Sequence, residues 1–306
     1  MSAIAFPAPV RAEHPSTLAQ LARLEAVRYA KHPLFLLGFA LALVCEAGTF
    51  GPIELDRQVV PAFFIGLLGI VVGARLTRTI DRANPLLESV PTSEATRTAA
   101  LCLACSVPMS AGLVTVLFHR AFLAANPVPD FTYGTYHGWQ LVIIQFVLPV
   151  LACAGGPLLG VAVGRWLRLP GAALLSLLVV MVWSMIVSYA PMQNMDANTW
   201  PSRILHLAGP YTAWASSDAS ELPPTTVTSF TGSTLWFAVW TVALCALAAC
   251  GALWHDRGAR SRRLLSVGLG WIAIALVALV LAVLGGNTHL FNTTVDGTVP
   301  TDTAAQ

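Results

Sequence analysis

The chain has 306 residues, of which 56% are hydrophobic and only 10% are charged. A soluble domain carries about 25% charged residues, because its surface must face water. The composition therefore excludes a soluble globule and predicts a protein whose surface mostly faces lipid or other helices. Lys31 is the only lysine, and this bias toward arginine is typical of a bacterial genome rich in G and C.

Seven apolar stretches reach or approach the length of about 20 residues that a helix needs to cross a bilayer core. They are continuously apolar rather than alternating, which favours helices over a β-barrel. The sequence thus predicts an all-α polytopic membrane protein with about seven transmembrane helices. The predicted spans are residues 33–50, 59–74, 99–118, 141–164, 171–190, 234–254 and 264–285.

The basic residues divide unequally between the two sides of these spans. Fourteen fall in the N-terminal segment and in alternate connections, against three in the other connections. Because cytoplasmic segments carry the excess of basic residues, we expect the N-terminus in the cytoplasm and the C-terminus outside a bacterial plasma membrane. The three residues on the outer side are Arg57, Arg120 and Arg203.

Residues 1–32 are predicted to form a cytoplasmic segment with an amphipathic helix. Thr17 and Gln20 make a capping box, and apolar residues recur at every third position from Leu18 to Val27. Such a helix is expected to lie along the inner membrane surface, a plain linker helix being the alternative.

Two extracytoplasmic segments carry further predictions. The long connection of residues 191–233 is expected to contain a short interfacial or re-entrant helix near residues 201–207. The tail, residues 286–306, is rich in Thr, Asp and Pro and is predicted to be disordered.

Two common catalytic motifs are missing from the sequence. A P-loop needs a lysine behind a glycine-rich loop, and Lys31 has no such loop before it. The metalloprotease motif His-Glu-x-x-His does not occur, and the seven histidines are scattered. We therefore predict no catalytic site, no metal site, no cofactor and no nucleic-acid partner, so that any ATP that drives the protein is bound by another polypeptide.

Glu46, near the outer end of the first span, is the clearest ionisable residue within a predicted span. It could contact a substrate, pair with Arg57 or Arg120, or reach interfacial water. No proton or sodium relay is visible in the sequence of the spans.

Prolines interrupt two of the spans. Pro108 lies in the third span, and Pro149 and Pro157 lie in the fourth. Such residues free backbone groups and often mark bends used in transport, although they are also common in membrane helices generally. With Glu46, these prolines are the candidates for a pathway or outer gate.

The connection between the second and third spans has a distinctive pattern, DRANPLLESVPTSEATRT over residues 81–98. An acidic, leucine-rich turn before a Pro-x-Ser step and an arginine-led span resembles the inner loop of type 2 ABC transporter permeases. Residues 24–35 and 232–236 are similar to the same family, as is the basic turn of residues 257–263. Each motif is short, and the resemblance depends on their order, spacing and topology together.

The resemblance implies the membrane subunit of a bacterial ABC exporter. It implies a separate ATP-binding cassette ATPase subunit and a second permease chain, either a copy or a paralogue. The inner connection would carry the surface that couples to the ATPase, and the seventh span departs from the family's six-span core. The implied coupling residues are Arg78, Arg82, Leu86, Leu87, Glu88, Pro91, Glu94 and Arg97.

The nearly uncharged spans favour a lipophilic or amphiphilic cargo over a small ion. Three alternatives stay open. The inner connection could be a solvated loop that merely obeys the positive-inside rule. The protein could be a membrane scaffold or assembly subunit without transport activity, or an enzyme acting on lipid.

Overall fold

The computed structural model describes twelve stretches of the chain. They are residues 15–47, 59–87, 92–125, 136–167, 169–193, 200–210, 212, 214–217, 226–230, 232–256, 261–285 and 291–294, without the side chains of 15, 16, 80–87, 123, 188–193, 215–217, 226, 227 and 291–294. Two helices each contain one π-helical segment, here named π1 and π2. The helical elements are α1 (Pro15–Ala30), α2 (Pro33–Glu46), α3 (Val59–Pro61), π1 (Ala62–Leu67), α4 (Leu68–Leu87), α5 (Glu94–Ala104), α6 (Ser106–Ala125), α7 (Gly138–Val142), π2 (Ile143–Val147), α8 (Leu148–Trp166), α9 (Ala172–Gln193), α10 (Trp200–Leu207), α11 (Thr234–Trp254) and α12 (Ser261–Leu284).

Five helical stretches are long and apolar enough to cross a membrane. They are Val59–Thr79, Glu94–Phe122, Gly138–Trp166, Thr234–Trp254 and Ser261–Leu284. The pair Thr17–Ala30 and Pro33–Glu46, bent by 62°, makes a sixth if it is taken as one span. The fold is therefore that of an all-α, multi-pass membrane protein, as the sequence predicts.

The count of seven spans is not confirmed. The first predicted span corresponds to α2, which reaches the required length only together with α1. The fifth corresponds to α9, which is fully described only from Ala172 to Val187, and this apolar part is too short by itself to be counted as a span. The other five predictions coincide with helices that can span, with ends that differ by up to five residues.

The helices alternate in direction, which gives the bundle two ends. The Glu94 end holds the beginnings of α5 and α12 and the endings of α8 and α11. The Glu46 end holds the endings of α2 and α6 and the beginning of α11. Side-chain contacts of Glu94 with Arg165 and His255 bring together the beginning of α5 and the endings of α8 and α11, and the contact of Glu46 with His119 brings together the endings of α2 and α6.

The closest helix packing joins α4 and π1 to α8. A Cβ atom added at Gly156 would overlap the backbone oxygen of Gly66, and one at Gly160 would overlap that of Ile70. At Gly164 an added Cβ would lie 2.8 Å from the Cβ of Thr77. Small residues at four-residue spacing let two backbones approach in this way, which is a common means of association inside membranes. The sequence analysis considered only the prolines of this helix and missed the interface.

The Glu46 end is covered by an ordered cap. Short strands β1 (Ala215–Ser217), β2 (Thr226–Ser229) and β3 (Phe291–Thr294) form an antiparallel sheet in the order β1-β2-β3, with Ala215 opposite Ser229 and Thr226 opposite Thr294. The prediction of a disordered tail is thus wrong at Phe291–Thr294, because these residues complete the sheet. The predicted helix near residues 201–207 is confirmed as α10.

Buried aromatic residues attach the cap to the bundle. Trp214 is fully buried against Phe237 of α11, with ring centroids 5.4 Å apart. The hydroxyl of Tyr136 lies 2.6 Å from the carbonyl oxygen of Trp214 and 2.9 Å from that of Phe230. Burial raises the pKa of Tyr136, so its phenol stays protonated and can donate to these oxygens.

The N-terminal helix α1 differs in detail from the sequence prediction. It begins at Pro15, so Thr17 lies inside the helix instead of capping it. Proline suits the first helical position, because that N–H has no helical partner. Glu25 and Tyr29 are buried, whereas Leu24 and Val27 of the predicted apolar stripe are exposed. Its packing is mainly on α5, and a position along the membrane surface stays a prediction.

His32 joins α1 to α2 and is the N-cap of α2. Its Nδ1 atom accepts a hydrogen bond of 3.3 Å from the backbone N–H of Leu34. Burial, together with the nearby positive charge of Arg75, lowers the pKa of His32 below its ordinary value. Both effects favour the neutral ring, which alone can accept this bond.

We expect acid to weaken this junction. Because the pKa of His32 is lower in the folded protein than in the unfolded chain, its contribution is present above about pH 6.5 and is lost as the pH falls below that value. His32→Asn keeps a capping oxygen that does not titrate. Thermal unfolding in lipid nanodiscs measures this effect. When the pH falls from about 7 to 5, the wild type should lose about 1 kcal/mol more stability than His32→Asn. Parallel pH curves for the two proteins would contradict the capping role.

Candidate functional site

A charge cluster at the Glu94 end joins three helices. The Oε1 atom of Glu94, in the first turn of α5, lies 3.0 Å from Nη1 of Arg165 at the end of α8. The same oxygen lies 3.2 Å from Nδ1 of His255, directly after α11. Arg165 is only 3% exposed, whereas the side chain of Glu94 is 39% exposed. The carboxylate of Glu94 thus contacts the buried guanidinium of Arg165 while it is itself partly exposed to solvent.

The beginning of α5 is stabilised by side chains from both sides. The hydroxyl of Ser93 accepts a hydrogen bond of 3.2 Å from the N–H of Thr96, as an N-cap residue should. The carboxylate of Asp256 accepts one of 3.1 Å from the N–H of Ala95. Negative groups at a helix N-terminus are favourable, since this end carries the positive pole of the helix dipole. These bonds fix the position of Glu94 relative to α11.

Two tryptophans lie beside the cluster. Trp166 donates a hydrogen bond of 2.8 Å from Nε1 to the carbonyl oxygen of Gly251. Its ring centroid lies 5.9 Å from that of Trp254 and 5.4 Å from that of His255. Both tryptophans are more than 40% exposed, as is usual for aromatic residues at a membrane–water boundary. They connect the ends of α8 and α11 independently of the charges.

Of the implied coupling residues, the structure describes the side chains of Arg78, Glu94 and Arg97. Arg97 lies one turn after Glu94 and donates to the hydroxyl and the carbonyl oxygen of Thr92, at 3.3 and 3.1 Å. Arg78 donates to the carbonyl oxygens of Leu167 and Leu169, at 3.1 and 2.8 Å, and so holds the turn between α8 and α9. These bonds use part of both guanidinium groups within the chain.

The remaining implied coupling residues are described less fully. Arg82, Leu86 and Leu87 lie in the last part of helix α4, and only their backbone is described. Glu88 and Pro91 lie outside the described residues. The role of all eight residues in coupling to an ATPase stays a prediction.

Sequence reasoning missed Arg165 and His255 as partners of Glu94. Both stand at the ends of predicted spans on the side with the excess of basic residues, and this placement is the only signal for them in the sequence. The positive-inside rule explains such residues without any specific contact. Only the three-dimensional arrangement shows that they share one carboxylate.

A second polar cluster lies at the Glu46 end. Oε2 of Glu46, the last residue of α2, is 2.8 Å from Nδ1 of His119 on α6. Both side chains are buried, with relative exposures of 2% and 9%. The structure thus shows a contact of Glu46 with His119, which was not among the expected partners, and it buries Glu46 away from interfacial water. Arg57, one of the partners expected, lies outside the described residues.

Arg120 extends this cluster toward the next helix. Its Nη2 atom donates to the side-chain oxygen of Gln145, and its guanidinium carbon lies 5.7 Å from the ring centroid of Phe146. Gln145 and Phe146 belong to π2, in which the helix is wound more loosely than an α-helix. Such segments are rare and occur often at functional sites.

The three prolines proposed for a pathway are all buried within this chain. Before Pro108 the helix breaks at Cys105, where α5 gives way to α6. A proline has no N–H to donate to the carbonyl oxygen four residues earlier. The carbonyl of Ala104 therefore lacks its helical hydrogen bond, and the break falls directly after this residue. Pro149 stands at the beginning of α8, next to π2. Their role in a pathway stays a prediction.

Pro157 lies in the tight crossing of α4 and α8. A Cβ atom added at Gly69 would lie 2.6 Å from its Cγ, and one at Gly73 would overlap its carbonyl oxygen. This contact gives Pro157 a packing role in the structure. It would line a pathway only in a state in which α4 and α8 separate.

The chain was also compared with known proteins. No family model, curated protein or solved structure matches it.

Proposed function

We propose that this chain is the membrane-spanning permease subunit of an ATP-binding cassette transporter in a bacterial plasma membrane. In this proposal it exports a lipophilic or amphiphilic substrate, and a separate subunit hydrolyses the ATP. A second permease chain, identical or a paralogue, completes the pathway. The Glu94 end faces the cytoplasm, together with the N-terminus, and the C-terminus lies outside.

The observation that carries the proposal is the attachment of the inner connection to the bundle. The connection between α4 and α5 contains the motif that resembles type 2 ABC permeases. Glu94, which directly follows this connection, is paired with Arg165 and His255, at the ends of two spans. A subunit that pushes on this connection would therefore move α5, α8 and α11 together, which is what coupling to an ATPase requires.

The lipid-facing character of the helices is consistent with the proposed cargo. Large apolar side chains are exposed along α9 and α12, such as Leu175, Val179, Leu276 and Val280. Exposed apolar faces of this size suit contact with lipid or with a second membrane chain. Charged side chains in the middle of the spans, which ion-coupled transport would use, are few.

Co-purification tests the proposal. The protein is isolated from its native membrane in mild detergent, and bound proteins are identified by mass spectrometry. We expect an ATPase with a Walker A motif, which is lost from the variant Glu88→Ala/Arg97→Ala. The matched control is Arg262→Ala/Arg263→Ala, which also removes charge at the Glu94 end, from exposed positions at the beginning of α12.

A partner set without any ATPase, from a preparation that keeps known transporter complexes intact, would contradict the proposal. It would favour the alternative of a scaffold or assembly subunit. Equal loss of the ATPase from the control variant would show that binding depends on general positive charge and not on the connection between α4 and α5.

A further inference from the structure

The outer face of α1 carries apolar and basic side chains together. Leu24 and Val27 are exposed on it, and so is Arg23. Lys31 extends the same face, because its N–H continues the helical pattern with a bond of 3.1 Å to the carbonyl oxygen of Val27. These four residues fall within about 100° of the helix circumference, and Glu25 lies on the opposite, buried side.

The basic side chains of this face have no counter-charge within the described part of the chain. Glu25 is the only acid of α1, and it is buried and paired with Arg28 at 2.7 Å. Arg23 and Lys31 form no hydrogen bond or ion pair with another described residue. The face therefore presents positive charge that the described residues do not neutralise.

The bend between α1 and α2 places this face beside a membrane span. The two helices meet at 62°, so if α2 follows the bilayer normal, α1 lies closer to the membrane plane than to the normal. Leu36 and Leu37 are exposed near the beginning of α2. Arg75 of α4 is exposed close to the bend, where its positive charge adds to burial in lowering the pKa of His32.

A helix face of this kind suits an anionic lipid surface. Its apolar side chains enter the boundary between headgroups and acyl chains, and its basic side chains attract the phosphates. Each basic residue near an anionic leaflet favours binding by about fivefold. An acidic protein surface would also balance the charges, but the exposed Leu36 and Leu37 directly beyond the bend continue the apolar surface into a span, which favours lipid.

From this arrangement we propose that the outer face of α1 and its bend to α2 bind anionic phospholipids in preference to zwitterionic ones. Arg23, Lys31 and Arg75 contact the phosphate groups, and Leu24 and Val27 enter the layer below them. The surface needs no ATPase, so it stands or falls independently of the proposed function.

Photocrosslinking to lipid tests this preference. A benzophenone amino acid replaces Val27 in the full-length protein, which is placed in nanodiscs of phosphatidylglycerol and phosphatidylcholine in equal amounts and with identical acyl chains. Benzophenone reacts with the acyl chains, so mass spectrometry of the adducts gives the ratio of the two lipids beside the residue. Leu276, which is exposed within α12, is the reference position.

We expect the ratio of anionic to zwitterionic adducts to be at least about fivefold higher at position 27 than at position 276, at about 0.1 M NaCl. Lys31→Gln/Arg75→Gln should remove most of this excess, because two of the three charges are gone. The matched control is Arg262→Gln/Arg263→Gln, which removes the same charge from exposed positions at the beginning of α12. It should leave the ratio at position 27 unchanged.

Salt provides a second measurement, which needs no change of the basic residues. Raising NaCl from about 0.1 to 1 M shortens the screening length from about 10 to 3 Å. The excess of anionic adducts at position 27 should then fall by at least about twofold, whereas the ratio at position 276 should stay the same. This measurement decides the matter if Lys31→Gln/Arg75→Gln does not fold.

Three results would overturn the proposal. One is an equal lipid ratio at positions 27 and 276 in the otherwise unchanged protein. Another is an excess at position 27 that neither salt nor Lys31→Gln/Arg75→Gln reduces, or that the control variant reduces equally. The third is position 27 giving no lipid adducts while position 276 gives them, since the outer face of α1 would then lie away from the bilayer.

Discussion

Gly160→Ala is expected to destabilise the protein by about 3 kcal/mol, because it adds a methyl group where two helix backbones touch. A Cβ atom at this position would overlap the backbone oxygen of Ile70. Backbone cannot rotate away as a side chain can, so α4 and α8 would have to separate along the crossing. Thermal unfolding followed by tryptophan fluorescence in nanodiscs measures the loss.

Gly268→Ala provides the control for this substitution. It makes the same chemical change within α12, where an added Cβ would meet nothing within 4 Å. Alanine favours a helix over glycine by about 1 kcal/mol, so this variant should be as stable as the wild type or slightly more stable. Equal unfolding temperatures for the two variants would show that α4 and α8 do not approach as closely as the structure indicates.

Glu94→Ala is expected to cost about 2–4 kcal/mol. The substitution removes a carboxylate from the buried Arg165 and from His255, and with it a contact between three helices. Because Glu94 is partly exposed, its own desolvation is small, and most of the cost comes from the guanidinium that it leaves behind. Chemical or thermal unfolding in nanodiscs measures the change.

A double-mutant cycle separates this pair from general effects. In the Arg165→Met background, Glu94→Ala should cost at least about 1 kcal/mol less than in the wild type, because no buried charge is left without the carboxylate. Additive effects of Glu94→Ala and Arg165→Met would contradict the role of Glu94 as a connecting residue.

The helical class and most of the spans could be predicted from the sequence, because continuously apolar runs of about 20 residues are rare outside membrane-spanning helices. The number of spans could not, since α2 has only 14 residues and falls short of the length that composition alone suggested. The apolar stripe of α1 was predicted from spacing, but the side chains that packing buries are Glu25 and Tyr29. A three-residue repeat does not say which face of a helix another helix will cover.

The polar contacts could not be predicted from the sequence, because they join residues of different helices that are far apart along the chain. Glu46 was recognised as unusual, yet its contact with His119 was not predicted, because the two residues belong to different spans. Gly156, Gly160 and Gly164 were present as a clear four-residue repeat, which predicts close packing. The neighbouring Pro157 was interpreted as a possible bend, and the glycine repeat was not considered. Strand β3 was missed because residues of a polar tail gain order only by pairing with β2.

The central claim, that an ATPase acts on the connection between α4 and α5, is tested most directly by photocrosslinking in living cells. A benzophenone amino acid is placed at Glu88, and a control is placed at Trp200, which is exposed at the opposite end of the bundle. We expect illumination to join the chain to a Walker A protein from position 88 and not from position 200. Adducts from position 88 that contain only other proteins, in cells where a known permease crosslinks to its ATPase, would contradict the claim.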